Sequence, residues 1–325
     1  MAATATTILH WNLIPVFADV SPVTFNLDIQ DVENKITPRT RAIVSPDIFG
    51  QSANIESLRE LCLKYDLYLV SDTAQAPGAI RNNYYAGTKS DIAGFSLNYH
   101  KHIHAGEGGV VVTNSSKLAE RVQLLRNHGE VVVGKTFTKS PIYGILGMNM
   151  RMGEIEAAIS KNQLSKLSRA VSSRQSAAIQ FNNSLSDFEG LQVPRIDKGN
   201  SHVYYVYGMT LDTKMLGLSR QTIQDALAAE GVPALMSGYQ NIHSLPLFKK
   251  HLTYKNNPLP YSLISKKRLK EITNYKLRVT ESLHLDSFLG INWCLKKLNP
   301  EDVDLISKAF EKVWSNLDIL RNKYK

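Results

Sequence analysis

Cysteine is nearly absent from this chain. Cys62 and Cys294 are the two among 325 residues, too few for a disulfide framework, and a reducing setting is the default. Cys62 falls on an apolar helical stripe and reads as a core thiol. Long apolar runs are missing too. None reaches the roughly 18 residues that span a bilayer. No Lys or Arg precedes Lys35, which removes the charged start of a signal peptide and the arginines of a transit peptide. A cytoplasmic protein is expected. Internal repeats and low-complexity tracts are absent, and no basic, aromatic-interleaved motif points to nucleic acid.

What remains is ordinary enzyme composition, 43% hydrophobic and 21% charged, on a chain long enough to favour two domains. The net charge of +9 suits an anionic ligand such as a nucleotide diphosphate. It is equally the signature of a lysine-rich solvated surface, since Lys249, Lys250, Lys266, Lys267 and Arg268 crowd the C-terminal third.

Along the chain, Pro15–Val20 and Arg41–Pro46 read as strands, with a short helix over Ile29–Ile36 between them. Asp47–Gln51 is a turn. Asn54 then caps a helix whose positions Ile55, Leu58, Leu61, Cys62 and Tyr65 share one buried face. The strand Leu67–Asp72 follows, and this alternation implies parallel strands with right-handed crossovers. Ser115 or Ser116 starts a helix with Leu118, Val122 and Leu125 on one face, closed by Arg126-Asn127-His128-Gly129. Gly134–Tyr143 reads as a loop and Gly153 to about Leu185 as a long helix with Ile155, Ala158, Ile159, Leu164 and Leu167 prominent. A strand over His202–Leu211 and helices over Gln221–Glu230 and Pro300–Tyr324 make a smaller C-terminal domain. The division predicted is 1–180 and 181–325.

The stretch Phe95–Gly109, F-S-L-N-Y-H-K-H-I-H-A-G-E-G-G, sits between apolar runs Ile92–Leu97 and Val110–Thr113. A lysine between two buried strands, Lys101, can lose solvent, and desolvation lowers an amine towards a usable nucleophile. An ordinary surface lysine on a flexible turn is the plain alternative. Asp72 ends a strand, and ligands of open α/β sheets sit at the carboxyl ends of strands. A strand-end carboxylate and a loop lysine match the two groups that a pyridoxal phosphate enzyme uses. His100, His102 and His104 alternate around the lysine, yet no further ligand stands at a supporting distance, so no metal is expected.

V-S-D-T-A-Q-A-P-G-A, the Phe95–Gly109 stretch, L-R-N-H-G and G-M-N-M-R-M-G-E-I-E-A-A-I together resemble the DegT/DnrJ/EryC1/StrS family. The resemblance implies a fold-type-I pyridoxal phosphate transferase: an α/β large domain with a mostly parallel central sheet flanked by helices, and a smaller α+β C-terminal domain. It implies amination of a keto group on a nucleotide-linked deoxysugar, with glutamate as donor. Lys101 takes the place of the Schiff-base lysine, Asp72 of the partner of the ring nitrogen, Gln75 of the residue beside the ring, and Ser96 of a phosphate-contacting hydroxyl. Asn149 matches an asparagine that reaches the neighbouring subunit's cofactor, which implies a homodimer with shared sites. Arg126, His128, Tyr239 and His243 match residues near substrate, although a histidine preceding that tyrosine in many members is Gly238 here. For Arg126 and His128, capping of a helix C-terminus is the competing role. Met1–Ile8 resembles the helix that follows the family's phosphate-binding turn, so the chain is expected to lack that turn, whether as a fragment, through a misplaced start codon or as a degenerate paralogue. Sugar dehydratases of the family carry histidine where Lys101 stands, which favours amination. A non-catalytic partner of a longer paralogue is the other alternative.

Overall fold

The computed structural model describes residues 1–130, 145–253, 258–295 and 298–323; the loop predicted over Gly134–Tyr143 lies outside them. Contacts divide the chain into two compact units. One comprises Arg41–Ser172 and Lys198–Val203, the other Met1–Thr40, Ser173–Asp197 and Tyr204–Lys325. The sequence division at 180/181 is contiguous, whereas each compact unit is assembled from separated stretches.

The first unit carries four strands: β1 (Ala42–Pro46), β2 (Tyr68–Asp72), β3 (Ile92–Ser96) and β4 (Gly109–Val112). They lie in that order, with β1, β2 and β3 parallel and β4 antiparallel. The helix Ile55–Tyr65 makes the crossover from β1 to β2. Asn54 caps it by accepting the Ser57 N–H, and Asp66 ends it in the left-handed region at φ 53°. Ile55, Leu58, Leu61 and Cys62 are buried, each large side chain contributing about 2 kcal/mol. Tyr65, the last residue of the helix, departs from the expected face and is exposed. Burial pushes the Cys62 thiol up to about 11, so it stays protonated and inert.

β3 and β4 are antiparallel neighbours, so the chain between them needs no helical crossover. Leu97 N donates to Gly108 O and Ala105 N to Leu97 O, folding the intervening loop back on itself. β4 was expected to be buried. It is an edge strand of this sheet, with Val110 and Val111 exposed.

Gly153–Leu185 is two helices, Glu154–Leu164 and Leu167–Leu185, interrupted where Lys166 N turns back to Gln163 O. The apolar side chains of the first helix bury nothing among the described residues: Ile155 is 74% and Leu164 59% exposed.

The second unit holds β5 (Leu191–Gln192), β6 (Tyr207–Leu211), β7 (Leu235–Met236) and β8 (Phe288–Ile291), an antiparallel sheet in the order β5-β6-β8-β7. Its core joins Phe181, Tyr207, Trp293 and Phe310 to helices Arg220–Ala229 and Pro300–Trp314. The predicted C-terminal helix breaks after Trp314 and resumes at Leu317. The predicted strand His202–Leu211 begins only at Tyr207, because His202 bridges to Gln51 and Val203 N donates to Gly50 O in the first unit. Pro15–Val20 is not a strand. Asp19 N donates to the Asp31 carboxylate, and the Asp19 carboxylate accepts the N–H groups of Val279 and Thr280. The Asp19 N–H and carboxylate therefore find their partners outside any ladder, and Val20 forms an isolated bridge with Leu27. No helix among the described residues is long and apolar enough to cross a membrane.

Candidate active site

Two parallel strands of the first unit end side by side. Asp72 closes β2 and is the register partner of Gly94 on β3. Paired residues of neighbouring strands face the same side of a sheet, so Gly94 leaves room beside the Asp72 side chain. A Cβ built on Gly94 meets nothing within 4 Å. Asp72 is half-buried, and one of its oxygens accepts the Ala74 N–H at 3.2 Å.

The loop leaving β3 turns inward. Lys101 N donates to Asn98 O, and Lys101, His102 and Ile103 are all buried, Lys101 to 7% exposure. His102 anchors the loop through Nε2, 2.9 Å from the Val203 carbonyl, which assigns this histidine a structural contact. His100 lies edge-on against Tyr99, and burial together with the Lys101 charge holds its imidazole below the usual range. Ser96, at the end of β3, accepts the Asn98 N–H at 3.3 Å.

Gln75 is buried, and its carbonyl oxygen accepts the Phe49 N–H at 2.8 Å. Phe49 holds a left-handed conformation, φ 58°, which is costly for a bulky residue. Gln75 therefore pins a strained turn.

Behind this arrangement lies a second carboxyl group, Asp47, 2% exposed. It accepts the Ala53 N–H at 2.8 Å and the Thr73 hydroxyl at 2.8 Å, and its own N–H donates to the Asp72 carbonyl. Burial chiefly, with the Asp72 charge adding, raises its carboxyl group to about 7. Sequence reading took Asp47 only as part of a turn. The available signal was that Pro46-Asp47 ends β1 as Ser71-Asp72 ends β2.

Arg126, His128 and Asn149 are brought together elsewhere in this unit. Asn127 and Asn149 form a bridge, Met150 N donates to Arg126 O, and His128 N donates to Met148 O. Gly129 and Gly147 permit this approach: a Cβ on Gly147 would lie 2.3 Å from Gly129 N. The helix C-terminus is capped by Asn127, whose side chain donates to Gln123 O at 2.9 Å. Arg126 Nε is buried with no hydrogen-bond partner among the described residues. His128 and Asn149 are exposed.

Tyr239 and His243 belong to the second unit. His243 Nε2 is 3.1 Å from the Glu281 carboxylate, and its ring packs edge-on to Tyr275. Gly238 adopts φ +86°, with Phe288 3.1 Å from where a Cβ would stand. A histidine at this position would be strained and crowded.

Comparison with known proteins agrees with this architecture. The DegT/DnrJ/EryC1/StrS aminotransferase family model matches residues 1–276. GDP-perosamine synthase of Vibrio cholerae is 31% identical over 253 residues, 78% of this chain and 66% of that protein. The dTDP-3-amino-3,4,6-trideoxy-alpha-D-glucose transaminase of Micromonospora megalomicea subsp. nigra is 40% identical over 197 residues, 59% of this chain and 51% of that one. The chain thus spans about one half to two thirds of the length of these relatives. An aminotransferase structure from Psychrobacter cryohalolentis superposes with a TM-score of 0.84 at 23% identity, covering 98% of this chain and 80% of that one. The fold is that of the fold-type-I aminotransferases, and the chain belongs to the DegT/DnrJ/EryC1/StrS aminotransferase family, which includes pyridoxal-phosphate-dependent nucleotide-sugar aminotransferases.

Proposed function

We propose that the chain is a pyridoxal-phosphate-dependent aminotransferase that converts a keto group of a nucleotide-linked deoxysugar to an amine, with glutamate as amino donor. One observation carries the reading: a half-buried strand-end carboxylate beside the open face of Gly94, with a buried lysine on the loop that leaves the same strand. A flat ring with a cationic nitrogen fits beside Asp72, and the amine fits an aldehyde.

When bound, pyridoxal phosphate supplies a carbonyl carbon that condenses with amines and a ring that withdraws electrons. Lys101 would hold it through Nζ, and the neutral amine, once displaced by an amino donor, would move the proton at the reacting carbon. Asp72 would hold the proton on the ring nitrogen through a charge-assisted hydrogen bond. Gln75 would fix the turn beside the ring, and Ser96 would donate its hydroxyl to the phosphate. Arg126, whose buried Nε has no hydrogen-bond partner among the described residues, suits an anionic group of the substrate. The resemblance also assigns His128, Tyr239 and His243 to substrate binding. The identities of the relatives support nucleotide-linked sugars as the substrate class, since those named act on or make GDP- and dTDP-linked sugars.

The working form would be a homodimer in the cytoplasm. Leu146, Met148, Met150, Ile155, Ile159 and Leu164 are exposed around Asn149 and along the adjoining helix. Contiguous apolar exposure of this kind marks an interface. A second copy seated there would bring Asn149 to its neighbour's phosphate.

The test is product analysis. Incubation with pyridoxal phosphate, glutamate and GDP- or dTDP-linked keto-deoxysugars should yield the aminosugar nucleotide and 2-oxoglutarate. Lys101→Ala should abolish both. Dehydrated sugar formed without consumption of glutamate would contradict amination.

A further inference from the structure

We propose that Asp47 is a positioning residue for Asp72: its buried carboxyl group clamps the turn after β2 and supplies the neighbouring charge that sets how strongly Asp72 attracts a cation. The inference rests on the preceding assignment of Asp72 to a ring nitrogen.

The clamp is built from four contacts. Asp47 Oδ1 takes the Ala53 N–H, Oδ2 takes the Thr73 hydroxyl, and the Asp47 N–H is donated to the Asp72 carbonyl. Gln75 adds a second crosslink between the same two loops by accepting from Phe49 N. Thr73 is itself held from behind. Gly87, at φ +84°, approaches so closely that a Cβ there would stand 2.8 Å from the Thr73 hydroxyl oxygen. The backbone that follows the Asp72 side chain is therefore held by Asp47, at the Asp72 carbonyl and through Thr73.

The electrical part follows from what surrounds Asp47. Its hydrogen-bond partners, Ala53 N, Thr73 and Ser52, carry no charge. From β2 the charged neighbour is Asp72. His202, which bridges to the loop at Gln51, is held neutral because burial pushes its imidazole down to about 3. Asp47 therefore ionises against the charge of Asp72, its one charged neighbour from that strand. A cation at Asp72 offsets that charge, so Asp47 gives up its proton more readily when the cation is present. By linkage, the cation is held more tightly once Asp47 is ionised.

Two measurements test this. The first needs no cofactor: the side-chain carboxyl signals of 13C-aspartate-labelled protein are followed against pH. The Asp47 signal should titrate near neutrality and move to lower pH in Asp72→Asn. An Asp47 midpoint that ignores Asp72→Asn overturns the proposal. The second follows the dissociation constant of pyridoxal phosphate from pH 6 to 8. The Asn side chain keeps an acceptor for Ala53 N and can donate to Thr73, so Asp47→Asn preserves the clamp without the charge. Wild type should gain about tenfold in affinity over Asp47→Asn as pH rises. Parallel profiles overturn the proposal. Should wild type hold no pyridoxal phosphate at any pH, the assignment of Asp72 to a ring nitrogen falls, while the carboxyl titration still decides whether the two aspartates act as a pair.

Discussion

Asp72 and Gly94 are partners on parallel strands, and only the aspartate fills its half of the shared face. Gly94→Val is expected to occupy the space beside the carboxylate. β-branched side chains suit strands, so thermal stability should be retained or rise slightly. Affinity for pyridoxal phosphate should fall at least about tenfold, the cost of one displaced contact of 1–2 kcal/mol. Equilibrium titration and a melting curve on the same variant separate the two effects. Unchanged affinity would mean that the open face is not where the ring lies.

Gly87→Ala should act through the fold. At φ +84° the new Cβ is strained, and it meets Thr73 Oγ1 at 2.8 Å and Ala93 Cβ at 2.9 Å. A loss of roughly 2–3 kcal/mol is expected in denaturant unfolding. A loss below about 0.5 kcal/mol would show that the Thr73 turn yields without cost.

Stability should carry two opposed pH signatures from buried groups. Asp47 rises from 3.8 in the unfolded chain to about 7 in the native state, so the native state binds the extra proton between those values. Stability from this group falls as pH rises through that window. His202 is depressed from 6.5 to about 3. Its contribution is present above pH 6.5 and lost as pH falls towards 3. Asp47→Asn should therefore gain stability on wild type from pH 4 to 8, by a few kcal/mol at most. His202→Gln should resist acid better than wild type. Melting curves of the three proteins across pH 4–8 check both signs, and parallel curves would contradict them.

The helix Glu154–Leu164 presents Ile155, Ile159 and Leu164 outwards. The double change Ile155→Lys and Ile159→Lys should leave the monomer folded, since neither side chain is buried. It should convert a dimer to monomers in light scattering after gel filtration. An unaltered mass would place the contact elsewhere.

How much of this was legible in the sequence depends on where each residue's partners lie. Asp72 and Lys101 could be singled out because a strand end and a glycine-rich turn are local patterns. Asn54 could be named as a cap and Ser115 or Ser116 as a helix start for the same reason, and Asn54 and Ser115 do accept the N–H groups three residues on. Asp47 could not be found, because its significance comes from Thr73 and Ala53, and a turn residue looks alike whether its carboxylate meets water or a buried hydroxyl. The helix after Gly153 shows the converse error. Its apolar stripe is real, but periodicity says only that a face needs covering and not what covers it. Pro15–Val20 failed because β propensity depends on context, and here Asp19 draws the segment to the start of a short helix at Arg278.

The central claim is a covalent bond between Lys101 Nζ and the aldehyde of pyridoxal phosphate. Borohydride reduction of the cofactor-loaded protein, followed by peptide mass spectrometry, tests it most directly. The pyridoxyl mass should appear on the peptide containing Lys101 and on no other at stoichiometric yield, and Lys101→Ala should show none. A stoichiometric adduct on a different lysine, or a loaded protein without any adduct, would contradict the account.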